Sequence, residues 1–232
     1  MLLLTPGPVQ TRPEVRAAMA CDIAPWDLEF RAEYEALRHR ITRLAGGDPA
    51  THATLPLQGA GHFLVEAAIR SFLPPGGRLL VVRNGTYADR ILRLARDCGR
   101  DATVLDLPDT EGADPDAVAR ALAADPAVTH LGLVQSETGS GIVNDVAAIG
   151  AVARAAGKRV ILDAVSAFGA LPFDFATSPE VDAVLFTSNK CLEGLPGFGF
   201  AVSPIARLEA SEGNAQSWSL DLTEVYRHAL KN

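Results

Sequence analysis

Cysteine is scarce: Cys21, Cys98 and Cys191 are the only three in 232 residues, and no two of them stand at C-x-x-C spacing. That excludes a disulfide framework and a cysteine-built zinc site, and it points to a reducing cytoplasm. An excess of basic charge is also lacking. Twenty-one Lys and Arg against 28 Asp and Glu leave a net charge of -7, which argues against a nucleic-acid binder held by phosphate contacts. No apolar run is long enough to cross a bilayer. The start, Met1 to Pro8, has no basic region and too short an apolar run for a signal peptide. His39, His52, His130 and His228 lack ligand spacing. No internal repeat and no low-complexity linker divides the chain.

Apolar side chains are plentiful. At 48% hydrophobic residues the chain can bury a substantial core, and disorder is not expected. Phe30, Tyr34, Leu37, Ile41 and Leu44 recur at spacings of three and four, which predicts a helix over 27–45. Leu55-Pro56-Leu57 is extended, and Gly61 opens a helix through Phe72. Strands are expected at 79–82, 103–105, 131–134, 160–162, 183–186 and 199–202. Helices are expected at 87–99, from Asp114-Pro115 to Ala124, and from Asp145 to Ala156, the last ended by Gly157. Fully apolar strands alternating with amphipathic helices predict an α/β fold, a mostly parallel sheet sandwiched by helices. Ligands of such sheets bind at the carboxyl ends of the strands.

The chemistry-bearing residues gather at those ends. Lys190 follows the buried run Ala183–Phe186, and Asp163 follows Val160–Leu162. An amine and a carboxylate at the ends of successive strands are what pyridoxal 5'-phosphate needs: the lysine forms the Schiff base and the aspartate holds the pyridine nitrogen protonated. Gly59-Ala60-Gly61-His62 opens a helix with small residues, where backbone N–H groups and the helix dipole meet an anion, although small residues also permit a plain turn. Ser188 can contact phosphate or lysine, or serve as a strand-end cap. Cys191, with no histidine beside it, is read as a packing residue.

The motifs Leu3–Val9, Pro56–Gly61, Asp163–Pro172 and Ser188–Phe200 resemble the fold-type I (class V) aminotransferases, in the branch of the alanine–glyoxylate and serine–pyruvate enzymes. Within that branch they are most similar to the 2-aminoethylphosphonate–pyruvate transaminases. The resemblance runs from residue 3 to about residue 222. It implies transfer of an amino group from a small-molecule donor to a 2-oxo acid, by a cytoplasmic homodimer that uses pyridoxal 5'-phosphate in phosphonate catabolism. Lys190 and Asp163 are its expected catalytic residues. Ala60, Gly61, His62, Tyr87, Thr138, Ser188, Asp163 and Lys190 are its expected cofactor contacts, with Tyr87 stacking on the ring and Thr138 beside the ring hydroxyl. Ala60 and His62 depart from the hydroxyl residues usual in aminoethylphosphonate enzymes, and His62 resembles the serine–pyruvate branch, which keeps alanine or serine open as donor and glyoxylate or pyruvate as acceptor. The resemblance further implies an N-terminal arm (1–20), a cofactor-binding large domain (21–210), and a connector (211–232) toward a C-terminal small domain that the chain lacks, so that a cofactor-binding domain without activity is a further alternative.

Overall fold

The computed structural model describes residues 3–231. Met1 and Leu2 of the expected arm, and Asn232 of the expected connector, lie outside the described residues. In chain order come α1 (Pro13–Ala18), α2 (Leu28–Leu44), β1 (His52–Gln58), α3 (Gly61–Phe72), β2 (Arg78–Arg83), α4 (Thr86–Asp97) and β3 (Asp101–Asp106). Then follow α5 (Pro115–Ala124), β4 (Val128–Val134), a small hairpin of β5 (Ser136–Glu137) and β6 (Ile142–Val143), α6 (Val146–Ala155) and β7 (Arg159–Asp163). The chain continues through β8 (Val181–Thr187), β9 (Phe198–Pro204), α7 (Ile205–Ala210) and α8 (Leu222–Lys231). Every helix and strand expected from periodicity is present. The sequence reading did not include α1, the hairpin, α7 or α8.

Local chemistry sets the boundaries. Asp114 accepts the Asp116 N–H at 3.0 Å and Pro115 follows it, so α5 starts there. Asp145 caps α6 by accepting the Ala148 N–H at 3.0 Å. Gly157 takes a φ of +69° just past the end of α6, a conformation cheap only for glycine.

Seven strands form one sheet in the order β1-β9-β8-β7-β4-β2-β3. The pairings β2·β3, β2·β4, β4·β7 and β7·β8 are parallel, whereas β9 runs antiparallel to both β8 and β1. All seven residues of β8 are buried, because helices cover both sheet faces. Successive residues of β7 serve two cores. Ile161 packs with Leu64, Ile69, Phe72 and Leu185, while Val160 and Leu162 join Leu122, Leu133, Ile149 and Phe186. Each such side chain contributes about 1.5–3 kcal/mol by leaving water. The segment expected as a connector is helical from Leu222 to Lys231, and α8 packs on β1, α3 and α7. Leu222 at its start is fully buried.

One acid interrupts the apolar pattern. Asp182 of β8, fully buried, accepts from Arg159 and Arg207 and faces His130 Nε2 at 3.2 Å. Burial pushes its carboxyl up, but the His130 and Arg207 hydrogen bonds and the Arg159 charge outweigh it and hold the group below its ordinary value. This cluster ties the amino-terminal ends of β4, β7 and β8 together, opposite the end that carries Asp163 and Lys190.

Candidate functional site

At the carboxyl ends of the strands lies a cavity of about 380 Å³, within the range of small-molecule sites. Five elements converge on it. β7 ends in Asp163, and the adjacent parallel strand β8 leads through Thr187 into Asn189 and Lys190. The start of α3 brings Ala60, Gly61 and His62. From α4 come Tyr87 and Arg90, and from the β5–β6 turn comes Thr138.

Asp163 is buried, and its Oδ1 accepts the Val165 N–H at 2.9 Å. Burial pushes its carboxyl up to about 6. The Val165 bond and the charges of Arg90 and Lys190 oppose that rise, and the Glu137 charge adds to it. Lys190 is half-buried, and its Nζ donates to the Gly7 carbonyl at 3.5 Å. Gly61 is packed so closely that a Cβ there would stand 2.9 Å from Val165 Cγ2. Its small size therefore keeps the start of α3 against the floor of the cavity.

Tyr87 is positioned by a carboxylate from β5. Glu137, buried in β5, accepts the Tyr87 N–H at 3.0 Å and the Ala88 N–H at 2.8 Å, which satisfies two N–H groups at the start of α4. Gly85 makes room for this cap, since a Cβ there would lie 2.5 Å from the Glu137 carboxylate. The Arg90 guanidinium sits 4.7 Å from the centre of the Tyr87 ring, within cation–π range.

Of the residues expected from sequence, Ala60, Gly61, His62, Tyr87, Thr138, Asp163 and Lys190 all line the cavity. Ser188 is not among the residues that line it, and its bonding matches the cap reading rather than a contact with phosphate or lysine. Its hydroxyl is engaged by the carbonyls of Leu195 and of Phe198, the latter at 3.0 Å, so it closes the loop after the lysine. The physical reason is strand alternation: Thr187 faces the cavity, and its neighbour faces away. Thr187 and Arg90 were missed. Three residues separate Arg90 from Tyr87 on a helix, the spacing that puts both on one face, and that signal was there to find. The Thr187 Oγ1 is buried without a hydrogen-bond partner, which suits a polar ligand in this cavity. A free helix start for a phosphate, a carboxylate for a ring nitrogen, an aromatic face and an amine together fit pyridoxal 5'-phosphate.

The family model described as "Aminotransferase class-V" matches residues 22–212. Among curated relatives, "2-aminoethylphosphonate--pyruvate transaminase 2" of Burkholderia lata is 45% identical over 221 residues, covering 95% of this chain and 58% of that protein. "2-aminoethylphosphonate--pyruvate transaminase" of Pseudomonas entomophila is 40% identical over 230 residues, 99% of this chain and 62% of that one, so the similarity runs past residue 222. Among solved structures, pyridoxamine-pyruvate aminotransferase from Mesorhizobium loti superposes with a TM-score of 0.89 at 27% identity, over 99% of this chain and 58% of that one. An aspartate aminotransferase from Thermus thermophilus gives a TM-score of 0.89 at 26% identity, over 100% of this chain and 64% of that one. The chain spans about three fifths of the length of the curated relatives it matches.

Proposed function

The chain belongs to the class-V aminotransferase family, and on that footing we propose that it uses pyridoxal 5'-phosphate to transfer the amino group of 2-aminoethylphosphonate to pyruvate, giving phosphonoacetaldehyde and L-alanine. The observation that carries the reading is the meeting of Asp163 and Lys190, from adjacent parallel strands, in one cavity with the start of α3. The names of the relatives support the choice of donor and acceptor.

When bound, the cofactor supplies an aldehyde that captures the donor amine and a ring that takes up the electron pair left on carbon. The other tasks fall to the chain. The Lys190 amine would hold the cofactor and, once freed by the donor amine, would serve as the base that moves the proton of the donor carbon. The Asp163 carboxylate would accept the ring N–H and so keep that nitrogen protonated. The N–H groups at Gly61 and His62 would hold the phosphate, and the Tyr87 ring would pack against the cofactor. The domain division at residues 20 and 210, a homodimer and a cytoplasmic location belong to the same reading. Trp26 and Leu28, 74% and 78% exposed, support a second copy as partner. The three free cysteines support a reducing compartment. Among the described residues, no helix is long and apolar enough to cross a membrane.

The test is a spectrum of the purified chain with pyridoxal phosphate, before and after 2-aminoethylphosphonate. A band that forms on the chain, is lost on adding the donor, and never forms with Lys190→Ala is the expected result. A band indifferent to the donor removes the donor assignment, and no band removes the cofactor assignment. His62, where hydroxyl residues are usual, favours a second reading with alanine or serine as donor and glyoxylate as acceptor; the same spectrum recorded with those donors decides it.

A further inference from the structure

A second cavity, of about 240 Å³, lies between α2, β1 and α8, away from the one that holds Lys190. Its walls are rich in donors. Arg31, Tyr34, Arg38 and His39 come from α2 and His52 from β1, with Glu35 as the carboxylate among its lining residues. The Arg31 Nε is buried and has no hydrogen-bond partner. Arg38 is held in place: its Nε donates to the Thr54 carbonyl at 3.1 Å, its Nη1 to the Ala229 carbonyl at 3.4 Å, and its guanidinium lies 5.8 Å from the Tyr34 ring centre. Among the described residues, Glu35 forms an ion pair with neither arginine, although it stands one helical turn from Arg31.

Two of the remaining groups carry no negative charge. Burial pushes the Tyr34 hydroxyl up, so it keeps its proton. Burial also pushes His52 down, so the ring is neutral at pH 7, with Nδ1 2.9 Å from Thr51 Oγ1 and the ring 4.8 Å from that of Phe175. A buried guanidinium N–H without an acceptor is costly, and a charge-assisted bond to an oxyanion is the strongest way to satisfy it. Two guanidiniums and a phenol facing one enclosed space match the several acceptor oxygens of such an anion.

We propose that this cavity binds a small oxyanion, a phosphate, phosphonate or carboxylate group, clasped by Arg31 and Arg38. The site is independent of the transaminase reading, because it shares no residue with the Lys190 cavity.

The test follows the arginine Nε–H signals in ¹⁵N-edited NMR spectra of the purified chain during titration with inorganic phosphate, methylphosphonate or acetate, at ionic strength fixed by chloride. The Arg31 and Arg38 signals should shift saturably with at least one of the three. Arg31→Gln removes no described bond; the Arg38 shift should then require about tenfold more anion or more. Glu35→Gln should tighten binding several-fold by removing the opposing charge. Phosphate captured only at the start of α3 would leave the Arg31 signal unmoved and overturn the proposal. So would a shift that chloride reproduces, one that does not saturate, or one unchanged in Arg31→Gln. A shift that grows with protein concentration and without added anion would overturn it in favour of a carboxylate from a second copy.

Discussion

Gly7 and Lys190, 183 residues apart in the chain, touch at the cavity. The lysine amine donates to the Gly7 carbonyl at 3.5 Å, and a Cβ at position 7 would stand 2.2 Å from Lys190 Cδ. The Val9 N–H donates to the Asn189 carbonyl at 3.1 Å and pins the arm beside the lysine. Gly7 has a φ of +151°, which side-chain-bearing residues rarely adopt.

Gly7→Ala should therefore displace either the arm or the lysine. The expected result is a cofactor affinity about tenfold lower or worse, with thermal stability nearly unchanged because the arm buries little. Absorbance titration with pyridoxal phosphate and a melting curve check the two halves.

Asp163→Asn should separate activity from stability. The folded carboxyl lies near 6, above its value of about 4 in an unfolded chain. The folded state therefore binds the proton more tightly, and stability is lost as pH rises from about 4 to about 6 and stays lost above. The asparagine variant lacks this loss, so relative to it the natural chain should fall by up to about 3 kcal/mol across that window. Denaturant melts of both chains at pH 4.5 and 7 measure it. Transamination should fall about a hundredfold or more in the variant, and a cationic ring bound beside Asp163 should flatten the pH dependence.

Much of this was legible in the sequence because the strands are buried on both faces. Val160–Leu162 and Ala183–Phe186 are continuous apolar runs, and the polar residue that ends each run marks the site. Side-chain direction at the end of β8 was harder to read: Thr187 and Ser188 are chemically alike, and only the register of a built strand says which faces the cavity. Arg90 went unseen because a cation on an amphipathic helix looks the same in sequence whether it faces solvent or a ligand. The antiparallel insertion of β9 beside β1 rests on contacts between distant segments, which no local window contains. Nor did the sequence reading include α8, which docks through the buried Leu222 and Thr223, with Val225 and Tyr226 packed against the same core.

Asp182 should show the opposite pH behaviour from Asp163. Its folded carboxyl is held below the ordinary value, so its contribution is present above the unfolded value of about 4 and is lost as pH falls through the folded one. Asp182→Ala should cost about 3–5 kcal/mol at pH 7, since it strands His130, Arg159 and Arg207 around a hole. The cost should shrink at acidic pH, as denaturant melts can show.

Glu137→Ala should loosen the start of α4. Two N–H groups lose their acceptor, at a cost of about 1–3 kcal/mol. Glu137→Gln keeps one acceptor, and by removing a negative charge it should lower the Asp163 pKa, read by ¹³C NMR of the carboxyls. Gly85→Ala should mimic Glu137→Ala in melting experiments, because the new methyl group displaces the same carboxylate.

The reversed strand β9 also sets a timetable. The Gly59 N–H donates to the Gly197 carbonyl at 2.8 Å, where the ends of β1 and β9 meet at the cavity. The wall that joins the start of α3 to the lysine loop thus consists of two segments far apart in the chain, one made well after the other. A ribosome must release Pro204 before that wall can close, and pairing between such distant segments is intrinsically slow. Until then the emerging chain has a helix start and a strand-end carboxylate but no enclosed cavity, so a nascent chain should acquire cofactor affinity in one late step.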